Sequence, residues 1–151
     1  MNPVLEMIEG DMASFAEVAT DDAVALIRYR LPILGGVEVP GYSWRLAVLW
    51  PYAEPESGAL PTRQANEAMD VFEDRIFEAF GHDNHAVWVA VLTFDGARQW
   101  VFYTNDVAEC GRRLAAMPQE DEPYPIEMEA DEDPTWDYLR ESILCFLKIE
   151  A

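Results

Sequence analysis

A chain of 151 residues, 50% hydrophobic and 12% aromatic, is long enough to bury roughly 70% of its unfolded surface around one core and too apolar for a disordered chain. Its 29 acidic against 10 basic residues leave a formal net charge of -19, a negative field that argues against nucleic acid and anionic lipid, whose capture needs clustered Lys and Arg. No apolar run approaches the ~20 residues of a membrane span, and Met1-Asn2-Pro3-Val4-Leu5-Glu6 lacks the basic start of an export signal, so a cytoplasmic protein that meets no membrane is expected.

Leu5 to Val18 are expected to open the fold as a hairpin around Glu9-Gly10-Asp11. A strand follows over Ala23 to Leu31, where Ala25, Ile27 and Tyr29 alternate with Leu26, Arg28 and Arg30 before Pro32 and Gly35-Gly36 interrupt pairing. After a connection at Val37 to Gly41, Tyr42 to Tyr52 resume as a strand. Trp44, Leu46, Val48 and Trp50 share one of its faces, and Arg45, Ala47 and Leu49 the other. The Pro- and Glu-rich loop Ala53 to Pro61 leads to Thr62, a cap for the clearest helix of the chain. Ala65, Met69, Phe72, Ile76, Ala79 and Phe80 recur at spacings of three and four and predict its buried stripe. Glu67, Asp70, Glu73 and Asp74 are expected in water, with Gly81 as a left-handed C-cap.

Asp95-Gly96 between Ala86 to Phe94 and Ala97 to Asn105 is the strongest hairpin signal, because this dipeptide tolerates positive φ in a type I′ turn. Counting outward pairs Phe94 with Ala97, Val91 with Trp100, Val89 with Phe102 and Trp88 with Tyr103. Val87, Val89, Val91, Trp100 and Phe102 then share one face, and Trp88, Ala90, Leu92, Phe94, Val101 and Tyr103 the other. Both faces are apolar, so terminal segments or a second chain must cover what the helices leave bare. Asp106 caps a second helix reaching Met117, with Val107, Cys110, Leu114 and Met117 inward and Pro118 closing it. Tyr124 to Glu129 follow as a strand with Ile126 and Met128 inward. Asp133-Pro134 open a last helix through Trp136, Leu139, Ile143 and Phe146. No repeat divides the chain, so residues 1–151 are expected as one α+β domain, its core spanning about 23–130 and its last helix about 134–148. From Tyr42 onward the order strand, helix, strand, strand, helix, strand is that of a ferredoxin-like split βαβ core. Its antiparallel sheet would carry helices on one face, with extra N-terminal strands and a C-terminal helix.

Three segments carry a resemblance: Phe94-Asp95-Gly96-Ala97-Arg98-Gln99-Trp100-Val101-Phe102-Tyr103, Tyr124-Pro125-Ile126-Glu127, and Asp131-Glu132-Asp133-Pro134-Thr135-Trp136-Asp137-Tyr138. With these the chain resembles the bacterial family catalogued as domain of unknown function 695, which is loosely similar in plan to the ribonuclease E inhibitor B family. The resemblance implies an α+β domain with a regulatory, protein-binding role, and it transfers no catalytic residue. It also implies a tyrosine three residues after the tryptophan, where this chain has Leu139 and carries Tyr138 one position earlier.

Chemistry-bearing patterns are sparse. His82, Asp83 and His85 offer too few convergent ligands for zinc and suit a surface turn, and no cofactor or metal is expected. Cys110 and Cys145 fit buried free thiols. Ser14, Ser43, Ser57 and Ser142 stand in no G-x-S-x-G elbow, and no G-x-G-x-x-G or P-loop pattern is present. Among the candidate interaction residues, Arg98 and Trp100 form an exposed recognition point beside the hairpin turn, although Arg98 also stands opposite Thr93. Tyr103 follows on the same strand, and Asp133 and Trp136 either anchor a helix or rim a pocket. Between Glu120 and Asp133, eight of fourteen residues are acidic, either solvating the surface or docking a basic segment. The sequence thus favours a non-enzymatic protein-binding or regulatory module with a basic protein partner, with homodimerisation through the sheet face as a further expectation. The alternative is a small-molecule-binding or hydrolytic domain with a pocket of carboxylates and tryptophans.

Overall fold

A computed structural model describes residues 13–19, 24–30, 42–52, 61–81, 85–94, 96–117, 126–134 and 136–138. They form β1 (Ala13–Ala19), β2 (Val24–Arg30), β3 (Trp44–Pro51), α1 (Arg63–Gly81), β4 (Ala86–Phe94), β5 (Ala97–Thr104), α2 (Val107–Ala116) and β6 (Glu127–Glu132). All six strands join one antiparallel sheet in the order β1-β2-β4-β5-β3-β6. The fold is α+β. β5 is inserted between β3 and β4, the two strands that α1 connects, and β2 and β1 extend the sheet beyond β4.

β1 pairs antiparallel with β2, its Ala19 opposite Val24. The turn expected at Glu9-Gly10-Asp11 lies outside the described residues, as do His82, Asp83, Cys145 and most of the last helix.

Directly opposed residues share a face, so the pairings sort the sheet into two sides. One side carries Leu46, Val48 and Trp50 of β3, Trp100 and Phe102 of β5, and Trp88 and Val91 of β4. Against it α1 lays Met69, Phe72, Ile76 and Phe80, and α2 adds Cys110. Phe72 lies 5.0 Å from Trp100 and 5.5 Å from Trp50 between ring centroids, and Phe80 5.0 Å from Phe102. Each such ring, fully withdrawn from water, contributes about 1.5–3 kcal/mol. The second side carries Ile27, Ala47, Val87, Ala90, Leu92, Val101 and Tyr103, all buried within the chain, so no second chain is needed to cover them.

The turn and the caps follow the local sequence. Gly96 has φ 80°, the positive value that an Asp-Gly hairpin turn requires. Thr62 Oγ1 accepts from Ala65 N at 3.1 Å, and Asp106 Oδ1 from Glu109 N at 3.1 Å, each satisfying an amide of a first helical turn. Gly81, in contrast, is the last helical residue and has no positive φ, so it is not the left-handed cap its position suggested.

The hairpin departs from simple counting halfway along. Phe94–Ala97 and Val91–Trp100 pair as expected, but Trp88 then faces Phe102 and Val87 faces Tyr103, with a register shift between Trp88 and Ala90. Val89 is the extra residue of a β-bulge, and it exchanges the faces of Val87 and Trp88. Trp88 thereby reaches the helix side, where it stacks on Phe77 of α1 at 5.3 Å and 6°. β6 also starts and ends three residues later than expected. Met128 does turn toward the helix side, but at the sheet edge nothing covers it fully and it stays 40% exposed.

Candidate functional site

Where α1 crosses β2, β4 and β5, the sheet does not close against the helix, leaving a cavity of about 220 Å³ lined by polar side chains over a floor that includes Leu26 and Val91. Pairing explains the meeting. Leu26 lies opposite Thr93, Thr93 opposite Arg98, and Arg28 opposite Val91, so strand residues far apart in sequence share one side. From α1, Asn66, Asp70 and Glu73 descend on them at spacings of four and three, one helical face.

Arg98 is 8% exposed and makes three contacts: Nε donates to Thr93 Oγ1 at 2.9 Å, Nη2 to Asn66 Oδ1 at 2.7 Å, and Nη1 reaches Asp70 Oδ1 at 3.4 Å. Burial pulls its pKa below the ordinary value, while the Asp70 and Glu73 carboxylates oppose that pull. Glu73, expected in water, is buried instead. Its Oε1 accepts from the Trp100 indole at 3.0 Å and from Arg28 Nη2, so one carboxylate links helix, β5 and β2. The Arg28 guanidinium also stands over the Trp88 ring, 5.3 Å from its centroid, yet its Nε–H is buried without a hydrogen-bond partner. Two guanidinium ions and two carboxylates therefore surround one cavity in balance, although the chain as a whole is strongly negative.

A second constellation occupies the opposite side. Trp136 is fully buried, stacks on Tyr103 and donates from Nε1 to the Tyr42 carbonyl at 2.9 Å. Asp133 Oδ2 accepts from the Tyr103 hydroxyl at 2.7 Å and from Tyr138 N at 3.0 Å, and its Oδ1 accepts from Asp137 N at 2.9 Å. Asp133 thus caps the turn that places Trp136. Tyr138 lies over Arg45, whose guanidinium sits 4.3 Å from the ring centroid, and its hydroxyl accepts from Gln99 Nε2 at 3.2 Å.

The candidate residues therefore divide into two groups. Arg98 and Trp100 line or support the cavity and are buried, not exposed beside the turn, because α1 covers their side of β5. The pairing of Arg98 with Thr93 holds, now as a hydrogen bond. Tyr103, Asp133 and Trp136 come together on the other face as an anchor for the chain that follows. Arg28, Asn66, Asp70 and Glu73 were not singled out by their sequence context. Glu73 nevertheless had a signal: it lies four residues after Met69 and three before Ile76, on the apolar stripe itself.

Elsewhere, His85 Nε2 lies 3.1 Å from the Asp106 carbonyl, at the start of α2. Cys110 is a buried free thiol whose pKa burial pushes up. Among the described residues, no group of three or more His, Cys, Asp or Glu could hold a metal ion, and no helix is long and apolar enough to cross a membrane.

No curated protein and no solved structure matches the chain. A family model described as a family of unknown function (DUF695) matches residues 14–144, a stretch that contains every residue of the cavity and of the Asp133 anchor. With most of its length matched, the chain belongs to the DUF695 family.

Proposed function

We propose that this domain is a non-enzymatic binding module that takes up a basic, extended segment of a protein partner along β6. The observation that supports this reading is the exposed acidic strand at the sheet edge. Among the described residues β6 pairs with β3 alone, and Glu127, Met128, Glu129, Asp131 and Glu132 are all exposed. Edge strands present backbone donors and acceptors to an incoming strand, and side-chain alternation then supplies specificity. Glu127, Glu129 and Asp131 repeat every second residue on one face, about 6.7 Å apart in a strand, a spacing that Lys or Arg at alternate positions of an added strand would meet. Asp131 is already paired with Arg45, whereas Glu127, Glu129 and Glu132 have no ion pair among the described residues. The net charge of -19 would accelerate the encounter by long-range attraction, and salt would weaken it.

The test is fluorescence anisotropy with a labelled peptide in which Arg alternates with Val, titrated at rising salt. Saturable binding that weakens with salt and drops at least about tenfold in a Glu127→Lys, Glu129→Lys variant is expected. Binding indifferent to the charge reversal, or absent at low salt, would overturn the assignment.

A further inference from the structure

β6 has two unlike faces. Its pairing with β3 puts Met128 opposite Val48 and Ala130 opposite Leu46, so both lie on the helix side, and alternation brings Ile126 to the same side. Glu127, Glu129 and Asp131 lie on the other. The strand that is acidic on one face is therefore apolar on the opposite face from Ile126 to Ala130.

The three apolar residues are not covered to the same extent. Ile126 and Ala130 are half-buried and pack against the core, whereas Met128 between them is 40% exposed. Among the described residues, Val71 is the other large hydrophobic side chain so exposed, and it belongs to α1, not to the sheet. The Met128 methyl reaches toward α2, 3.6 Å from the position that a Cβ on Gly111 would take. Val107, Gly111 and Leu114, at spacings of four and three, share one face of that helix, and Val107 and Leu114 are half-buried against the core. Met128 thus joins the open edge of the sheet to a helix face that carries no side chain at the point of contact.

Building on the reading of β6 as a docking edge, we infer that Met128 is the register-setting anchor of that edge. The partner segment is then two-faced. Lys or Arg at alternate positions meets Glu127 and Glu129, and one large apolar residue lies opposite Met128 on the helix side. A strand added to β6 places the residue opposite Met128 on that same side, where an apolar side chain covers what the fold leaves in water. The acids alone do not fix the register, because Glu127, Glu129 and Asp131 recur every second residue and a slip by two meets the next carboxylate. On the apolar face the same slip moves the large residue from exposed Met128 to half-buried Ile126 or to small Ala130. A slip by one turns the cations toward the helix side and the apolar residue toward the carboxylates.

Two labelled strand-length peptides test the anchor. One alternates Arg with Ser throughout, and the other is identical except that its central Ser is Leu. Anisotropy at low salt should show the Leu peptide binding about fivefold or more tighter. The Met128 methyl resonance of the intact chain should shift further with the Leu peptide than with the Ser peptide. Met128→Ser should bind both peptides alike, whereas Glu127→Lys, Glu129→Lys should weaken both. Equal affinity of the two peptides for the wild-type chain, or a Leu preference that persists in folded Met128→Ser protein, would overturn the anchor and leave the acidic edge in place. Binding of neither peptide would overturn the edge assignment, and the anchor with it. Should Met128→Ser not fold, the wild-type comparison and the methyl shift still decide between these outcomes.

Discussion

The ring of Trp136 lies flat on that of Tyr103, 4.3 Å between centroids and 16° from parallel, while the Tyr103 hydroxyl is held by Asp133 three residues earlier in the chain. Trp136 also has φ 57°, a left-handed conformation that bulky residues rarely adopt. Its buried ring and the bond from its Nε1 to the Tyr42 carbonyl hold it there against that strain.

Two variants at Trp136 separate the ring from the backbone. Trp136→Ala should lose about 3–5 kcal/mol of stability, the usual consequence of emptying a large aromatic site. Trp136→Gly should be no worse than Ala, reversing their usual order, because glycine alone adopts positive φ without penalty. Urea unfolding followed by circular dichroism measures both, and a markedly less stable glycine variant would contradict the strain argument.

Removing the Glu73 carboxylate leaves Arg28 and the Trp100 indole without their acceptor. Glu73→Ala should therefore destabilise the protein by about 2–4 kcal/mol, and Glu73→Gln by less, since the amide oxygen still accepts. A double-mutant cycle with Arg28→Met should give a coupling of about 1 kcal/mol or more; additivity would show that the ion pair is energetically idle.

Gly96→Ala is expected to cost about 1–2 kcal/mol, because a Cβ is disfavoured at φ 80°. The hairpin amides, read by hydrogen exchange, should lose protection first.

Hydrogen bonds from Arg112 and Arg113 hold the Glu109 carboxyl down to about 2, against an ordinary 4.5. A carboxyl with a depressed folded-state pKa stabilises in full above its unfolded value and loses that contribution as pH falls through the folded value. The stability difference between wild type and Glu109→Gln should thus be constant above about pH 5 and shrink between about pH 4.5 and 2. A gap that stays constant to pH 2 would show that the arginines do not depend on the carboxylate charge.

What was legible in the sequence is what local chemistry controls. The Asp-Gly turn, the caps at Thr62 and Asp106, and the stripe Met69-Phe72-Ile76-Phe80 each act within a few residues, and each stands where its spacing placed it. The cavity was not legible in the same way. Arg28, Glu73 and Arg98 look like ordinary charges in their own segments, and they meet only because β2 pairs with β4 and α1 lies across both. Arg98 and Trp100 adjoin a turn, a position that suggests solvent, whereas coverage by a helix is a tertiary fact. The bulge at Val89 was hidden for a related reason: in a strand apolar on both faces, alternation carries no marker of where the count slips.

That bulge makes parity a property of the fold. On the turn side of Val89, odd-numbered residues of β4 such as Val91 and Thr93 face the helices; on the far side the even-numbered Ala86 and Trp88 do. Had the strand kept the same length with its count unbroken, Trp88 would lie on the other side of the sheet, away from Phe77 and from the Arg28 guanidinium that rests on it. One surplus residue thus works as a phase shift. It decides which face Trp88 presents, and through that ring it seats the Arg28 guanidinium at the cavity.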